Sequence, residues 1–282
     1  MRVVKSAKAM QRLSARLRLQ NKKIGFVPTM GYLHKGHMSL VKKSTKENDV
    51  TVMSIFVNPK QFGPREDFAK YPRNLQRDKL FAKKEKVDIL FLPSADDMYK
   101  KDYLTYVGVE KIKDCLCGPF RPGHFRGVAT VVAKLLNIVS PGTLYLGQKD
   151  AQQAIIIKRM VEDLNFSISV KVLPTVREKD GLAMSSRNSY LQPHERKIAD
   201  TLYKALQYGK RLIYAGERSG ANVLKAIKAQ IEKEHKFKID YIECRDAETL
   251  NSLNRLRGKV LIAVAAWLGK TRLIDNTVVS VQ

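Results

Sequence analysis

The sequence predicts an α/β protein: a doubly wound parallel sheet followed by a smaller α+β C-terminal domain. Three observations carry this. From residue 1 to about 176, short apolar runs alternate with stretches of helical spacing. Two of the runs, Ile24 to Val27 and Val50 to Val57, are almost continuously apolar, as strands covered on both faces are. From Arg177 the alternation stops. Residues 193 to about 234 read as mostly helical, and Phe237 to Glu243, Val260 to Leu268 and Thr271 to Ile274 read as strands. The expected domains are 1–176 and 177–282.

Composition bounds the possibilities. The chain has 282 residues, 44% hydrophobic and 28% charged, the balance of a soluble globular protein with a sizeable core. No apolar run approaches the roughly 18 residues of a membrane helix. The odd count of 3 cysteines offers no disulfide framework and fits a reducing, cytoplasmic setting. Cys115 and Cys117, with His124 nearby, are too sparse for a metal site.

The net charge of +25, from 52 basic and 27 acidic residues, points either to nucleic acid or to anionic substrates. The lysines occur as scattered pairs, without a long basic run, an arginine-rich tail or an RNA-binding aromatic signature. Nucleic acid is therefore the lesser expectation.

Residues 1–23 hold no acid and superficially resemble a transit peptide. They also read as a short strand, Val3-Val4, then Ser6 capping a helix with Ala7, Met10, Leu13 and Leu17 on its apolar face. That reading suits an α/β opening. The strand at Ile24 is broken by Pro28, Thr29 and Gly31, and His34-Lys35-Gly36-His37 leads into a helix expected to begin near Met38 or Ser39.

Strand, turn and helix start together suit phosphate, because unpaired backbone N–H groups and the helix dipole converge there. The two histidines add donors, and Gly36 leaves room for close approach. A solvated histidine pair has the same spacing. Zinc would need two further ligands.

Beyond the strand at Val50 come Asn58 and Gln61, just past a C-terminal strand end, where open α/β sheets bind ligands; a simple turn is the alternative. Val87 to Leu92 is the next strand. Gly118 to Gly127 is a rigid cationic loop with Arg121, His124 and Arg126, before a helix from Val128 to Val139. Leu144 to Leu146 is a strand leading to Gly147-Gln148-Lys149-Asp150 and a helix with Gln152 and Gln153; Val170 to Leu173 is another strand. Met184-Ser185-Ser186-Arg187 reads as an anion clamp or as a solvated loop. Gly269-Lys270-Thr271 mimics the end of a P-loop, but Val264 stands where its first glycine is required, and no Gly-x-Gly-x-x-Gly occurs.

His-x-Gly-His after a strand resembles the signature of the nucleotidyltransferase superfamily. PTMGYLHKGH, NPKQF, DFAKYPR, RPGHFRGV, GQKDAQQ and MSSRN, with YIECRDAETL and TRLIDN in the tail, resemble in order and spacing the pantoate–β-alanine ligase (pantothenate synthetase) family, over residues 1 to 276. The resemblance implies a Rossmann-like ATP- and pantoate-binding domain at 1–176, with the smaller domain at 177–282 closing over the active site. It implies condensation of (R)-pantoate with β-alanine, driven by ATP through pantoyl adenylate, giving pantothenate, AMP and pyrophosphate. Mg²⁺ would ride on the phosphates, with Asp78 as an outer ligand. A cytoplasmic homodimer without membrane or nucleic-acid partners is also implied.

Carried over residue by residue, His34, His37 and Lys149 are catalytic, with His37 the proton donor. Met30, Gly31, Tyr32, Leu33, His34, Lys35, Gly36 and His37 form one wall of the ATP site. Gly147, Gln148, Lys149, Asp150 and Val176 form another, and Met184, Ser185, Ser186 and Arg187 complete it. Gln61 and Gln153 bind pantoate; Gln61, Asn58 and Arg121 face β-alanine. Lys35 departs from the acidic residue common at that position and should point away from the phosphates.

For His37, the helix N-terminus disfavours a cation by roughly 0.3–1 kcal/mol. A phosphate charge about 4 Å away favours it by roughly 4 kcal/mol at an effective dielectric near 20. A neutral ring that gains a proton as ATP binds is therefore expected.

Overall fold

The structure, a computed structural model, describes residues 1–64 and 66–281. The chain forms two compact units. The first comprises Met1–Glu110, Arg121–Gly147 and Ile156–Pro174; the second comprises residues 111–120, 148–155 and the described chain from 175 onward. The two short segments of the second unit lie within the 1–176 span of the sequence reading.

The first unit contains β1 (Arg2–Val4), α1 (Ala7–Leu19), β2 (Ile24–Thr29), α2 (Lys35–Glu47), β3 (Val50–Ile55), α3 (Leu75–Lys84), β4 (Ile89–Phe91), α4 (Ala95–Met98), α5 (His124–Val139), β5 (Thr143–Gly147), most of α6 (Ala151–Asp163) and β6 (Ser169–Leu173). All six strands are parallel, in the order β1-β4-β3-β2-β5-β6. This is the Rossmann-like, doubly wound sheet expected.

Side chains alternate across the sheet. Val27, Met53, Leu90 and Tyr145 pack with Leu33, Met38 and Val41 and with Ala82 of α3. Phe26, Val52 and Leu144, all fully buried, point to the opposite face. Ser6 caps α1 as expected, its hydroxyl accepting the Ala9 N–H at 3.4 Å, and Met10 is the buried centre of that helix. From β2 the sheet grows one way through β3 and β4 and the other way through β5 and β6. The order therefore reverses between β2 and β5, and ligand crevices form outside the strand C-termini at such a point.

The second unit holds α7 (Pro193–Arg196), α8 (Thr201–Tyr214), α9 (Gly220–Glu232), β7 (Phe237–Asp246), β8 (Gly258–Leu268) and β9 (Thr271–Val281). The strands form an antiparallel sheet in that order. β8 is central and covered on both faces, which explains its continuous apolar run. Val260, Ile262, Val264 and Ala266 face Leu202, Leu206 and Ile213 of α8 and Val223, Ile227 and Ile231 of α9. Leu261 and Ala263 face Leu116, Ala151 and Leu250, which explains why residues 111–120 and 148–155 cluster here. β9 runs seven residues past Ile274, where the sequence reading ended it.

Candidate active site

β2 ends at Thr29, whose hydroxyl donates to the Ser54 carbonyl at 2.8 Å and accepts the Gly31 N–H at 3.1 Å. The backbone then passes through two left-handed residues, Gly31 at φ 84° and Tyr32 at φ 49°. Left-handed geometry is strained for tyrosine. Asp78, in the first turn of α3, compensates: its two carboxylate oxygens accept the N–H groups of Tyr32 at 2.8 Å and Leu33 at 2.7 Å. The Arg77 guanidinium lies 4.9 Å from the Tyr32 ring centroid. Asp78 is only 1% exposed with both oxygens engaged, which makes it a clamp on the turn, a role the sequence reading, with its outer Mg²⁺ ligand, did not assign.

The helix after this turn begins at Lys35, three or four residues before the sequence expectation. The reason is an unusual cap. His34 occupies the N-cap position and its Nδ1 accepts the Gly36 N–H at 3.2 Å. His37 Nδ1 accepts the His34 N–H at 3.3 Å, and the two rings lie 4.0 Å apart. These imidazoles do what Ser or Asp and Glu do in an ordinary capping box. A backbone N–H can only donate, so each Nδ1 is an acceptor and Nε2 is the nitrogen that carries the proton of the neutral ring. The Gly36 N–H is thus taken by His34. Lys35 is exposed.

Past β3, Asn58 is 1% and Gln61 8% exposed. Asn58 Nδ2 donates to the Gly127 carbonyl and to Gln61 Oε1, both at 3.1 Å, while its Oδ1 accepts Tyr99 Oη–H at 2.9 Å. Burial, followed by the neighbouring Tyr103 and Tyr106, pushes the Tyr99 phenol well above its ordinary pKa and keeps it a donor. Gln61 Nε2 lies 3.1 Å from Met30 Sδ. The Gln61 amide is therefore held with nitrogen on the side of the Met30–His37 turn.

α5 begins at His124, four residues ahead of the expected Val128, because His124 and Phe125 are already buried. His124 Nδ1–H donates to the Gln61 carbonyl at 2.8 Å. Arg121 donates to His124 Nε2 at 2.9 Å and makes a two-pronged pair with Glu66 at 3.0 and 2.5 Å. Glu66 thus holds the guanidinium that the sequence reading turned toward β-alanine.

In the second unit, Lys149 lies 3.8 Å from the Asp150 carboxylate, and Gln153 follows on α6. The Met184 N–H donates to the Val176 carbonyl at 3.0 Å, so a tight hairpin sets these two positions side by side. Ser185 caps the short 3₁₀ turn Ser186–Tyr190, its Oγ accepting the Arg187 N–H at 3.3 Å. Arg196 braces the hairpin by donating to Glu178 at 2.6 Å and Asp180 at 2.5 Å. The guanidinium holds the Asp180 carboxyl below the ordinary range. Sequence reading missed Glu178 and Arg196 and gave Asp78 a different role, because the partners of all three are set by tertiary structure. Among the described residues, no group of three or more His, Cys, Asp or Glu is arranged to hold a metal.

A doubly wound parallel sheet whose β2, beside the order reversal, ends in a clamped turn and an imidazole-capped helix has the form of a nucleotide-handling α/β enzyme. A family model described as pantoate-beta-alanine ligase matches residues 2–278. The chain is 52% identical over 280 residues to pantothenate synthetase of Caldicellulosiruptor bescii, covering 99% of each chain. It superposes on the crystal structure of the Thermus thermophilus pantothenate synthetase with a TM-score of 0.94 at 43% identity, covering 98% of this chain and 99% of that one. For the Francisella tularensis pantoate-beta-alanine ligase, complexed with beta-gamma ATP and beta-alanine, the TM-score is 0.80 at 37% identity, covering 98% and 97%. The chain belongs to the pantoate–β-alanine ligase family, and as a ligase of that family it joins pantoate to β-alanine to form pantothenate.

Proposed function

We propose that the ligation runs in two steps on ATP. The pantoate carboxylate oxygen attacks the α-phosphorus and pyrophosphate leaves, giving pantoyl adenylate. The β-alanine amine then attacks the acyl carbon, forming the amide and releasing AMP. Both nucleophiles belong to substrates, so the protein's task is positioning and stabilising charge that develops on phosphate.

The observation that carries this reading is the imidazole cap. It turns both Nδ1 atoms inward and leaves Nε2 as the donor nitrogen of His34 and His37 at a helix N-terminus. His37 is the proton donor, and Met30 to His37 line one side of the nucleotide. Gly147, Gln148, Lys149, Asp150 and Val176 line another. Lys149, Ser185, Ser186 and Arg187 hold the triphosphate, with Met184 beside them. Gln61 and Gln153 bind pantoate. Gln61, positioned by Asn58, faces β-alanine, and Arg121 acts on that side through its contacts with Glu66 and His124.

Mg²⁺ enters as part of the ATP substrate complex. Asp78 is taken up with the turn, each of its oxygens accepting a backbone N–H. The enzyme works as a cytoplasmic homodimer, a reading that rests on family resemblance. Among the described residues, no helix is long and apolar enough to cross a membrane.

The test is pyrophosphate–ATP exchange with Mg²⁺ and pantoate and without β-alanine. Exchange that requires pantoate, and AMP release once β-alanine is added, is the expected pair of results. Exchange independent of pantoate, or no exchange with pantoate until β-alanine is also present, would overturn the stepwise route.

A further inference from the structure

β9 carries two adjacent buried polar residues, Asp275 and Asn276, each 5% exposed, paired with the apolar Val264 and Ala263 of β8. Neighbours on a strand point to opposite faces. Asn276 pairs in register with Ala263 and shares that face, whereas Asp275 shares the face of Leu273 and Val279. Each reaches a different loop.

Asn276 Nδ2 donates to the carbonyls of Gln148 at 3.0 Å and Lys149 at 2.9 Å, and its Oδ1 accepts Gln148 Nε2–H at 3.1 Å. All three hydrogen bonds fall on the short turn that carries Lys149. Asp275 takes a two-pronged pair from Arg177 at 2.7 and 2.9 Å, and its Oδ1 also accepts the Asn276 N–H at 2.7 Å. Arg177 in turn donates to the Gly181 carbonyl at 2.9 Å, tying the start of the Val176–Met184 hairpin to the strand.

We propose that Asp275 and Asn276 are positioning residues for ATP: a two-sided anchor by which one strand fixes both the Gln148–Asp150 turn and the hairpin that begins at Val176. The proposal rests on the assignment of those two segments to ATP. A buried amide is a costly residue for a sheet unless its donors are satisfied. Here the donors of Asn276 are satisfied by the lysine-bearing turn itself. A misplacement of about 1 Å in such a turn costs on the order of a hundredfold in rate.

The test uses the full-length enzyme with Asn276→Asp, which keeps the volume and the Oδ1 acceptor but replaces the donor by an oxygen facing two carbonyls. Asp275→Asn is the companion on the other face. For each, the expected result is a rise in KM for ATP of roughly tenfold or more, with KM for pantoate and β-alanine within about twofold of the parent. In a Lys149→Ala background, Asn276→Asp should add almost nothing, because both changes act through the same amine.

Should the aspartate variant melt below assay temperature, Asn276→Ala removes the same donors without burying a charge and is read in the same way. Equal rises in all three KM values, or a full additive effect on top of Lys149→Ala, would overturn the anchor. Lys149→Ala with an unchanged KM for ATP would instead remove the underlying nucleotide assignment, whatever the Asn276 variants do.

Discussion

The His34 backbone N–H donates to Nδ1 of His37 at 3.3 Å, within the first turn of α2. Protonating His37 on that nitrogen would forfeit this bond, a net loss of about 0.5–1.5 kcal/mol. With roughly 0.3–1 kcal/mol from the helix dipole, the opposition stays below the roughly 4 kcal/mol from one phosphate charge about 4 Å away. ATP should therefore protonate the ring and release the cap together. ¹⁵N NMR of labelled enzyme should show an unprotonated Nδ1 in the free state. Adding a non-hydrolysable ATP analogue should protonate it and shift the His34 amide; an Nε2–H ring that persists in the complex would refute the coupling.

Asp78→Ala leaves two backbone N–H groups of the 31–33 turn without their acceptor. At about 1–3 kcal/mol for each buried unsatisfied donor, stability should fall by roughly 2–6 kcal/mol in thermal or urea denaturation. KM for ATP should rise more than KM for β-alanine, because the turn leads directly into His34. A variant as stable as the parent would show that solvent satisfies the turn.

Gly127 sits where α5 crosses the turn that holds Asn58 and Gln61. A Cβ there would lie 2.5 Å from the Lys60 carbonyl carbon and 2.7 Å from the Gln61 Cα. Gly127→Ala should cost about 1–3 kcal/mol, the usual range for overpacking, and should raise KM for pantoate while leaving KM for ATP nearly unchanged. Equal changes in both would argue against a local effect on Gln61.

Glu47 is bonded by Lys43, Tyr145 and Lys171, which together bring its carboxyl from 4.5 down to about 2. A lowered folded-state pKa stabilises above the unfolded value and is lost as pH falls. The advantage of the parent over Glu47→Gln should therefore be full above pH 4.5 and shrink between 4.5 and about 2. Melting temperatures of both proteins across that window check this; a constant difference would remove Glu47 from the acid response. The same carboxylate helps hold the Tyr145 phenol up at about 12, after the larger effect of burial.

Arg177→Ala strands the Asp275 carboxylate, whose side chain is 4% exposed, without its guanidinium. Breaking a buried pair from one side costs about 3–5 kcal/mol. The double change Arg177→Met with Asp275→Leu should recover much of that loss in denaturation, since it removes both charges. No recovery would mean that the hydrogen bonds to Gly181 and to β9, rather than the stranded charge, dominate.

β2, β3 and β8 were legible in the sequence because strands covered on both faces show continuous apolar runs. The start of α2 was not, since histidine is a rare cap and Gly36 and His37 are poor helix formers. β9 was cut short at Ile274 because Asp275 and Asn276 interrupt its apolar pattern, and they interrupt it in order to hold loops. Asp78 read as an outer Mg²⁺ ligand and its hold on the turn went unseen, since its partners lie 46 and 45 residues away. The histidine pair, Asn58, Gln61 and the Ser185–Arg187 segment were visible as chemistry. The residues that orient them were visible only in space.

The chain enters the second unit at residues 111 and 148 and returns after each visit, before staying from 175 onward. A chain cut at 174 would keep Leu116 and Ala151 but lose Leu250, Leu261 and Ala263, against which they pack. The two units are thus woven rather than strung. Neither is one uninterrupted stretch of sequence, so no single cut of the chain separates them.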